Sequence, residues 1–102
     1  ILVSAGFDAH WHDPLAYMRL SMQGYVHLTR ELLRMAEALC DGKIVFVMEG
    51  GYDLPALSSG MANVAHILLG EDEIHDPYGP AKGRGQDIAP LIEQVQQMHG
   101  LG

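Results

Sequence analysis

The sequence predicts an α/β fold, part of a parallel sheet flanked by helices, and three observations indicate it. Two short apolar runs, residues 1–3 and 44–48, lack polar alternation, which is typical of strands covered on both faces in a parallel sheet. A segment with helical spacing of apolar residues separates the two runs. Each run ends in a polar segment that contains glycine. The order strand, helix, strand is that of a right-handed crossover unit.

Length and composition restrict the class of protein. The chain has 102 residues, 48% of them hydrophobic, with a formal net charge of −7. This is one domain at most, and its composition excludes a disordered or disulfide-stapled protein. The negative charge disfavours direct contact with nucleic acid, and no apolar run reaches the roughly 20 residues that cross a bilayer. The single cysteine, Cys40, fits a reducing compartment, so we expect a cytoplasmic protein.

The first helix is predicted over residues 23–40. Its apolar residues recur at gaps of three and four positions, which places them on one helical face. They are Tyr25, Leu28, Leu32, Met35, Ala36 and Leu39. Ser21 is placed to cap the amino end of this helix, and Gly42 stands where a helix end favours a positive φ.

The segments after the second strand are also predicted from local signals. Asp53 is the expected N-cap of a helix that carries Pro55 in its first turn and ends before Gly70. Residues 71–86, rich in acids, proline and glycine, are expected to form a surface loop. The spacing of apolar residues predicts a last helix over about residues 87–98.

We expect the chain to be a fragment of a larger domain. It begins directly with the apolar residues of a strand. A two-stranded parallel sheet also needs cover on both faces and both edges, which a chain of this length does not readily supply.

The loop after the first strand is a candidate metal site. It brings Asp8, His10, His12 and Asp13 together, and in open α/β sheets ligands bind beyond the carboxyl ends of the strands. Carboxylate and imidazole together suit zinc or another first-row divalent ion. The alternative is a solvated loop in which Asp13, before Pro14, forms a turn, and spacing alone leaves both interpretations open.

The loop after the second strand is a candidate oxyanion site, and it should face the first loop if the strands are neighbours. Gly50 and Gly51 let the backbone approach a ligand closely, and Tyr52 offers a phenol that can donate a hydrogen bond to an oxyanion. The alternative is an ordinary strand-to-helix turn with a half-buried tyrosine. Glu49 and the lack of a lysine exclude a phosphate-binding loop.

The other histidines and the cysteine receive no functional role from the sequence. His27 and His66 are predicted to be packing or surface residues on the two helices, and His75 and His99 lie in the loop and the tail. Cys40 has no base near it in sequence and is expected to be inert.

The two candidate loops together resemble a known family. Residues 4–10 (SAGFDAH) followed by residues 13–15 (DPL), and residues 48–53 (MEGGYD), are similar to strand-end segments of the zinc-dependent histone deacetylase superfamily. That superfamily includes acetoin-utilisation proteins and acetylpolyamine amidohydrolases. The resemblance covers residues 1–70, and residues 71–102 match only as a variable C-terminal end, so the whole chain is expected to be the C-terminal portion of one deacetylase-like domain.

The resemblance implies a fold, a metal and site residues. The fold is the arginase-like three-layer α/β/α domain, and the cofactor is Zn²⁺. Asp8 corresponds to one of the family's zinc ligands and Tyr52 to its catalytic tyrosine, which donates to the substrate carbonyl oxygen, whereas His10 is not a ligand. Gly50 and Gly51 would line the acyl-lysine tunnel, with Leu15 nearer its rim. The remaining ligands and the general base are expected upstream.

The function implied by the resemblance is removal of acetyl groups from acetyl-lysine or an acetylated polyamine by the parent enzyme. We expect the 102 residues alone to be inactive, because one ligand and one oxyanion donor do not complete a site. Two alternatives remain from the sequence. One is a truncated, catalytically inert chain that only pairs with other chains, and the other is a small metal-binding domain that uses Asp8, His10 and His12.

Overall fold

The computed structural model describes all 102 residues as two strands and three helices. They are β1 (Leu2–Ala5), α1 (Met22–Cys40), β2 (Val45–Met48), α2 (Leu54–Leu68) and α3 (Ala89–His99). The predicted order of elements is confirmed, and α3 begins two residues later than expected. The three helices include no candidate for a membrane span.

The two strands pair in parallel, as predicted. Leu2 lies opposite Val45 and Ala5 opposite Met48. The ladder continues past the strands, because the Phe7 N–H donates to the Gly50 carbonyl at 2.8 Å. The carboxyl ends of the strands therefore meet at one edge, and the loops that follow them lie side by side.

The helix caps form as the sequence predicts, with one adjustment. Ser21 Oγ accepts from the Gly24 N–H at 3.2 Å, and Asp53 Oδ1 accepts from the Ala56 N–H at 3.0 Å. Gly42 has a φ of 72°, but the left-handed backbone at the end of α1 begins one residue earlier, at Asp41 with a φ of 54°.

The core lies between the sheet and one layer of helices. Its buried centre is Ala5, Phe7 and Val64, against which pack partly buried side chains from both strands and both long helices: Val3, Tyr25, Phe46, Leu57 and Met61. Phe7 fits because Gly60 lacks a side chain: a Cβ there would lie 2.3 Å from the ring. This contact fixes the start of the first loop against α2.

The prediction of strands covered on both faces is wrong for these 102 residues. Successive strand residues point to opposite faces, and the helices cover only one of them. On the other face Leu2, Val45 and Val47 are 81%, 54% and 49% exposed. Two layers of the expected three are therefore present, and an apolar sheet face is left open.

The predicted buried stripe of α1 is also partly wrong. The buried residues of the helix are Met22, Val26, Thr29 and Ala36, whereas Met35 and Leu39 are half or more exposed. Among the other elements, only α2 packs closely against α1, so the rest of the apolar stripe lacks a partner. Leu28 and Leu32 instead line an apolar cavity of about 270 Å³ beside the sheet. The last helix, α3, has no buried residue.

Candidate active site at the carboxyl edge of the sheet

Asp8 lies in the turn after β1, half-buried, between two glycines. A Cβ on Gly6 would lie 3.0 Å from Asp8 Oδ1, and one on Gly50 would lie 2.9 Å from Oδ2. The absence of side chains at both positions is what leaves room for the carboxylate. Neither of its oxygens is taken up by a hydrogen bond within the chain, so both remain available to a cation. This environment fits a metal-ligating carboxylate.

Tyr25 lies on α1 behind this carboxylate. Its ring packs on Phe7 with centroids 5.0 Å apart, and its buried hydroxyl has no hydrogen-bond partner. Burial, followed by the negative charge of Asp8, raises the pKa of Tyr25 to about 12. The phenol therefore stays protonated and adds no charge next to Asp8.

Tyr52 lies after β2 at the same edge of the sheet. It follows Gly51, whose φ is 147°, and its side chain is exposed, with a hydroxyl that bonds to nothing in the chain. The phenol is thus presented outward from the edge that carries Asp8. The backbone at Tyr52 forms a strand-to-helix turn, and the role of the hydroxyl as an oxyanion donor stays a prediction.

Asp13 fixes the backbone of Tyr52, a role that the sequence did not reveal. Its Oδ1 accepts from the Leu15 N–H at 2.9 Å, which is the expected turn. Its Oδ2 accepts from the N–H groups of Tyr52 at 2.8 Å and Asp53 at 3.3 Å. Burial by itself raises the pKa of Asp13, but the backbone donors outweigh it, and the pKa lies below its usual value. Asp13 is therefore a buried, charged residue whose hydrogen bonds join the two loops.

Asp53 is the centre of a second polar network beside Tyr52. Besides capping α2, its carboxylate accepts from His12 Nδ1 at 2.8 Å and from the Tyr78 hydroxyl at 2.9 and 3.1 Å. The rings of His12 and Tyr78 stack with centroids 3.9 Å apart. Burial by itself raises the pKa of Asp53, but the hydrogen bonds from Ala56, His12 and Tyr78 outweigh it, so the pKa lies below its usual value.

The segment around Tyr78 is tied to the first loop. Trp11 Nε1 donates to the Gly79 carbonyl at 3.1 Å, and Asp76 Oδ1 accepts from the N–H groups of Tyr78 and Gly79 at 3.1 and 2.9 Å. The loop predicted for residues 71–86 is therefore not merely a surface loop. Tyr78 and Gly79, within this segment, contact Asp53 and Trp11 beside the candidate site. The local composition of the segment does not indicate these contacts.

His10 is buried but is not placed as a metal ligand. It is 1% exposed, and its Nδ1 accepts from the His12 N–H at 3.1 Å, which places the ring proton on Nε2. Burial lowers the pKa of His10. The ligand atoms of Asp8, His10 and His12 do not gather within 4.8 Å of one another, and His12 Nδ1 is engaged by Asp53. The alternative metal site on these three residues does not form.

Gly51 is packed against the core, whereas Leu15 is exposed at the edge of the site. A Cβ on Gly51 would lie 2.9 Å from Leu57 Cδ1 and 3.3 Å from Phe7 Cβ, so this glycine allows close packing of the second loop onto the core. Leu15 is 58% exposed beyond Asp13. Contact of Gly50, Gly51 and Leu15 with a substrate stays a prediction.

Comparison with known proteins identifies the family. The family model for the histone deacetylase domain matches residues 1–68. Histone deacetylase 14, chloroplastic, of Arabidopsis thaliana is 47% identical over 102 residues, which are 99% of this chain and 24% of that protein. Polyamine deacetylase HDAC10 of Danio rerio is 33% identical over 101 residues, covering 99% of this chain and 14% of that protein.

A solved structure agrees with these sequence relationships. The crystal structure of the HDA15 HD domain superposes with a TM-score of 0.65 and 31% identity, over 98% of this chain and 24% of that one. The chain belongs to the histone deacetylase family. It spans about a quarter of the length of its Arabidopsis relative.

Proposed function

We propose that these residues form one part of the active site of a zinc-dependent deacetylase. The observation that carries the proposal is the placement of Asp8 and Tyr52 on adjacent loops after paired strands, with the Phe7–Gly50 hydrogen bond joining the loops at 2.8 Å. Membership of the histone deacetylase family supports this assignment. The Tyr52 hydroxyl would donate a hydrogen bond to the oxygen of the scissile amide as negative charge develops there.

Asp8 is the residue of this chain that fits a zinc ligand. A bound zinc ion would supply Lewis-acid polarisation of the amide carbonyl. Catalytic zinc sites use about three protein ligands, so we propose that the other ligands and the general base come from residues outside these 102. Asp13 holds the Tyr52 backbone relative to Asp8, so that the donor and the metal ligand keep one geometry.

The proposed substrate is an acetylated lysine side chain or an acetylated polyamine. The names of the relatives include both histone deacetylases and a polyamine deacetylase. Gly50 and Gly51 would border the path of the acylated amine, with Leu15 near its entrance.

Cys40 is free, and we propose a reducing, cytoplasmic location, which a fluorescent fusion to the complete protein would check.

The test is an Asp8→Asn variant of the complete protein that contains this chain. We expect it to lose the zinc ion held at Asp8, together with deacetylation of both an acetyl-lysine peptide and acetylated spermidine. Asp41→Asn is the matched control, because Asp41 is exposed at the end of α1 and asparagine tolerates its left-handed backbone. Zinc content and activity that are unchanged in Asp8→Asn would contradict the proposal.

The inert alternative is favoured by one observation, the open apolar sheet face at Leu2, Val45 and Val47. On its own the chain supplies one ligand and one donor, so we expect the isolated 102 residues to show no deacetylation and to associate through this face. Steady deacetylation by the isolated chain, abolished by Asp8→Asn, would overturn that expectation.

A further inference from the structure

A separate cluster of metal-ligating side chains lies at the carboxyl end of α2. His66 is in the last turn of the helix, and Glu73 and His75 lie on the segment that follows it. One ligand atom from each of the three residues lies within 4.8 Å of the other two. These side chains belong to neither the Asp8 and Tyr52 loops nor the network around Asp53.

The position of His75 relative to α2 is fixed by a buried amide. Asn63 is 2% exposed. Its Nδ2 donates to the His75 carbonyl at 2.8 Å, and its Oδ1 accepts from the His75 N–H, also at 2.8 Å. Because both backbone groups of His75 are held, its ring is kept near that of His66, with centroids 5.5 Å apart. The two imidazoles are therefore brought together by the fold, although they are nine positions apart in sequence.

A carboxylate flanks each of the two imidazoles, so each ring nitrogen concerned can hold a proton or a metal ion against it. His75 Nε2 lies 3.2 Å from Glu73 Oε1, and His66 Nδ1 contacts the carboxylate of Glu71. An imidazole lone pair repels a carboxylate oxygen unless a proton or a metal ion lies between them. The carboxyl end of α2 adds a partial negative charge, and the chain as a whole carries a net charge of −7.

We propose that His66, Glu73 and His75 form a second divalent-metal site, for Zn²⁺ or a similar first-row ion. Two imidazoles and one carboxylate are ligands that zinc accepts, and they suit such ions better than Ca²⁺ or Mg²⁺, which prefer all-oxygen sites. Glu71, already on His66, is placed to orient that ring as an outer partner. Side chains that are a quarter to two-thirds exposed leave the site open to ions from solution.

The site would connect the family core to the segment that braces the active site. His66 lies within residues 1–68 matched by the family model, whereas Glu73 and His75 lie beyond them. The segment continues directly into Asp76 and Tyr78, which contacts Asp53. A bound ion would therefore hold the start of the segment that runs from Glu73 to Tyr78 against α2. This inference does not depend on the proposed deacetylase activity.

The test is a calorimetric titration of the complete protein with ZnCl2 in excess MgCl2, with bound metal counted after dialysis. We expect His75→Ala to bind one zinc ion fewer than the wild type. His27→Ala is the matched control, because His27 is exposed on α1, and we expect it to keep the full number. Glu73→Gln should bind zinc at this site roughly 10-fold or more weakly, since loss of even an outer partner costs about that much.

Two outcomes would contradict the proposal of a second metal site. One is the same zinc count in His75→Ala and His27→Ala, and the other is displacement of the ion by Mg²⁺, which would indicate an adventitious ion only. If His75→Ala fails to fold, Glu73→Gln decides, because that side chain is 65% exposed. Asp8→Asn separates this site from the proposed active site: it should remove a different ion and leave the one that depends on His75.

Discussion

The carboxylate of Asp13 holds the backbone of Tyr52. Asp13 Oδ2 accepts from the Tyr52 N–H at 2.8 Å across 39 positions of sequence, while Oδ1 closes the turn at Leu15. One buried side chain therefore shapes the loop after β1 and fastens it to the loop after β2. The candidate zinc ligand and the candidate oxyanion donor lie on these two loops, so their relative position depends on Asp13.

Substitution of Asp13 by Asn should impair turnover more than substrate binding. The amide removes the charge and replaces one of the two accepting oxygens by a donor. Hydrogen bonds to charged groups contribute about 1.5–3 kcal/mol, so loss of the Tyr52 position corresponds to a decrease of about 10- to 160-fold in kcat. Steady-state kinetics of the complete protein measure this, with Asp41→Asn as control. A changed KM with normal kcat would show that Asp13 does not position Tyr52.

Substitution of Gly50 by Ala should displace Asp8. The new Cβ would lie 2.9 Å from Oδ2 and 3.0 Å from Cγ, so the carboxylate must move. We expect weaker zinc binding and lost deacetylation, measured by metal content and activity on one preparation. Gly85→Ala is the control, because a Cβ there meets no atom within 4 Å. If Gly50→Ala keeps its zinc and its activity, the glycine is not needed to accommodate the ligand.

Local signals are sufficient to predict the order of the elements and the meeting of the two candidate loops at one edge of the sheet. Ser21 and Asp53 cap the helices that follow them, and two unalternating apolar runs pair in parallel. Since parallel strands end at one edge, Asp8 and Tyr52 could be expected there from the sequence. The resemblance supplied their roles.

Long-range contacts could not be predicted in the same way. The turn at Asp13 follows from its place before Pro14, but its second oxygen bonds 39 positions away. His66 and His75 were given no role because nothing in sequence links residues that Asn63 brings together. The exposed Leu39 and Val45 show the opposite error: their apolar pattern predicts burial, but no partner for them lies among these residues.

Acid should weaken the network around Asp53 in a way that depends on Tyr78. The folded-state pKa of Asp53 is below its usual value, so its contribution to stability is present above about pH 4 and is lost as pH falls through the folded pKa. Tyr78→Phe removes one donor and brings that pKa closer to normal. We expect the urea concentration at the midpoint of unfolding, measured from pH 5 to pH 2, to fall less in Tyr78→Phe than in the wild type. Parallel curves for the two proteins would contradict this, and Tyr17→Phe, at an exposed tyrosine, is the control.

The most direct test of the central claim is the activity of Tyr52→Phe in the complete protein. Because only the phenolic oxygen is removed from an exposed side chain, zinc content and folding should be unchanged. Loss of one oxyanion donor lowers kcat by about 100- to 1,000-fold, and we expect a decrease of that size on an acetyl-lysine peptide, with Tyr17→Phe active as the wild type. A Tyr52→Phe enzyme as active as Tyr17→Phe would show that this hydroxyl takes no part in the reaction.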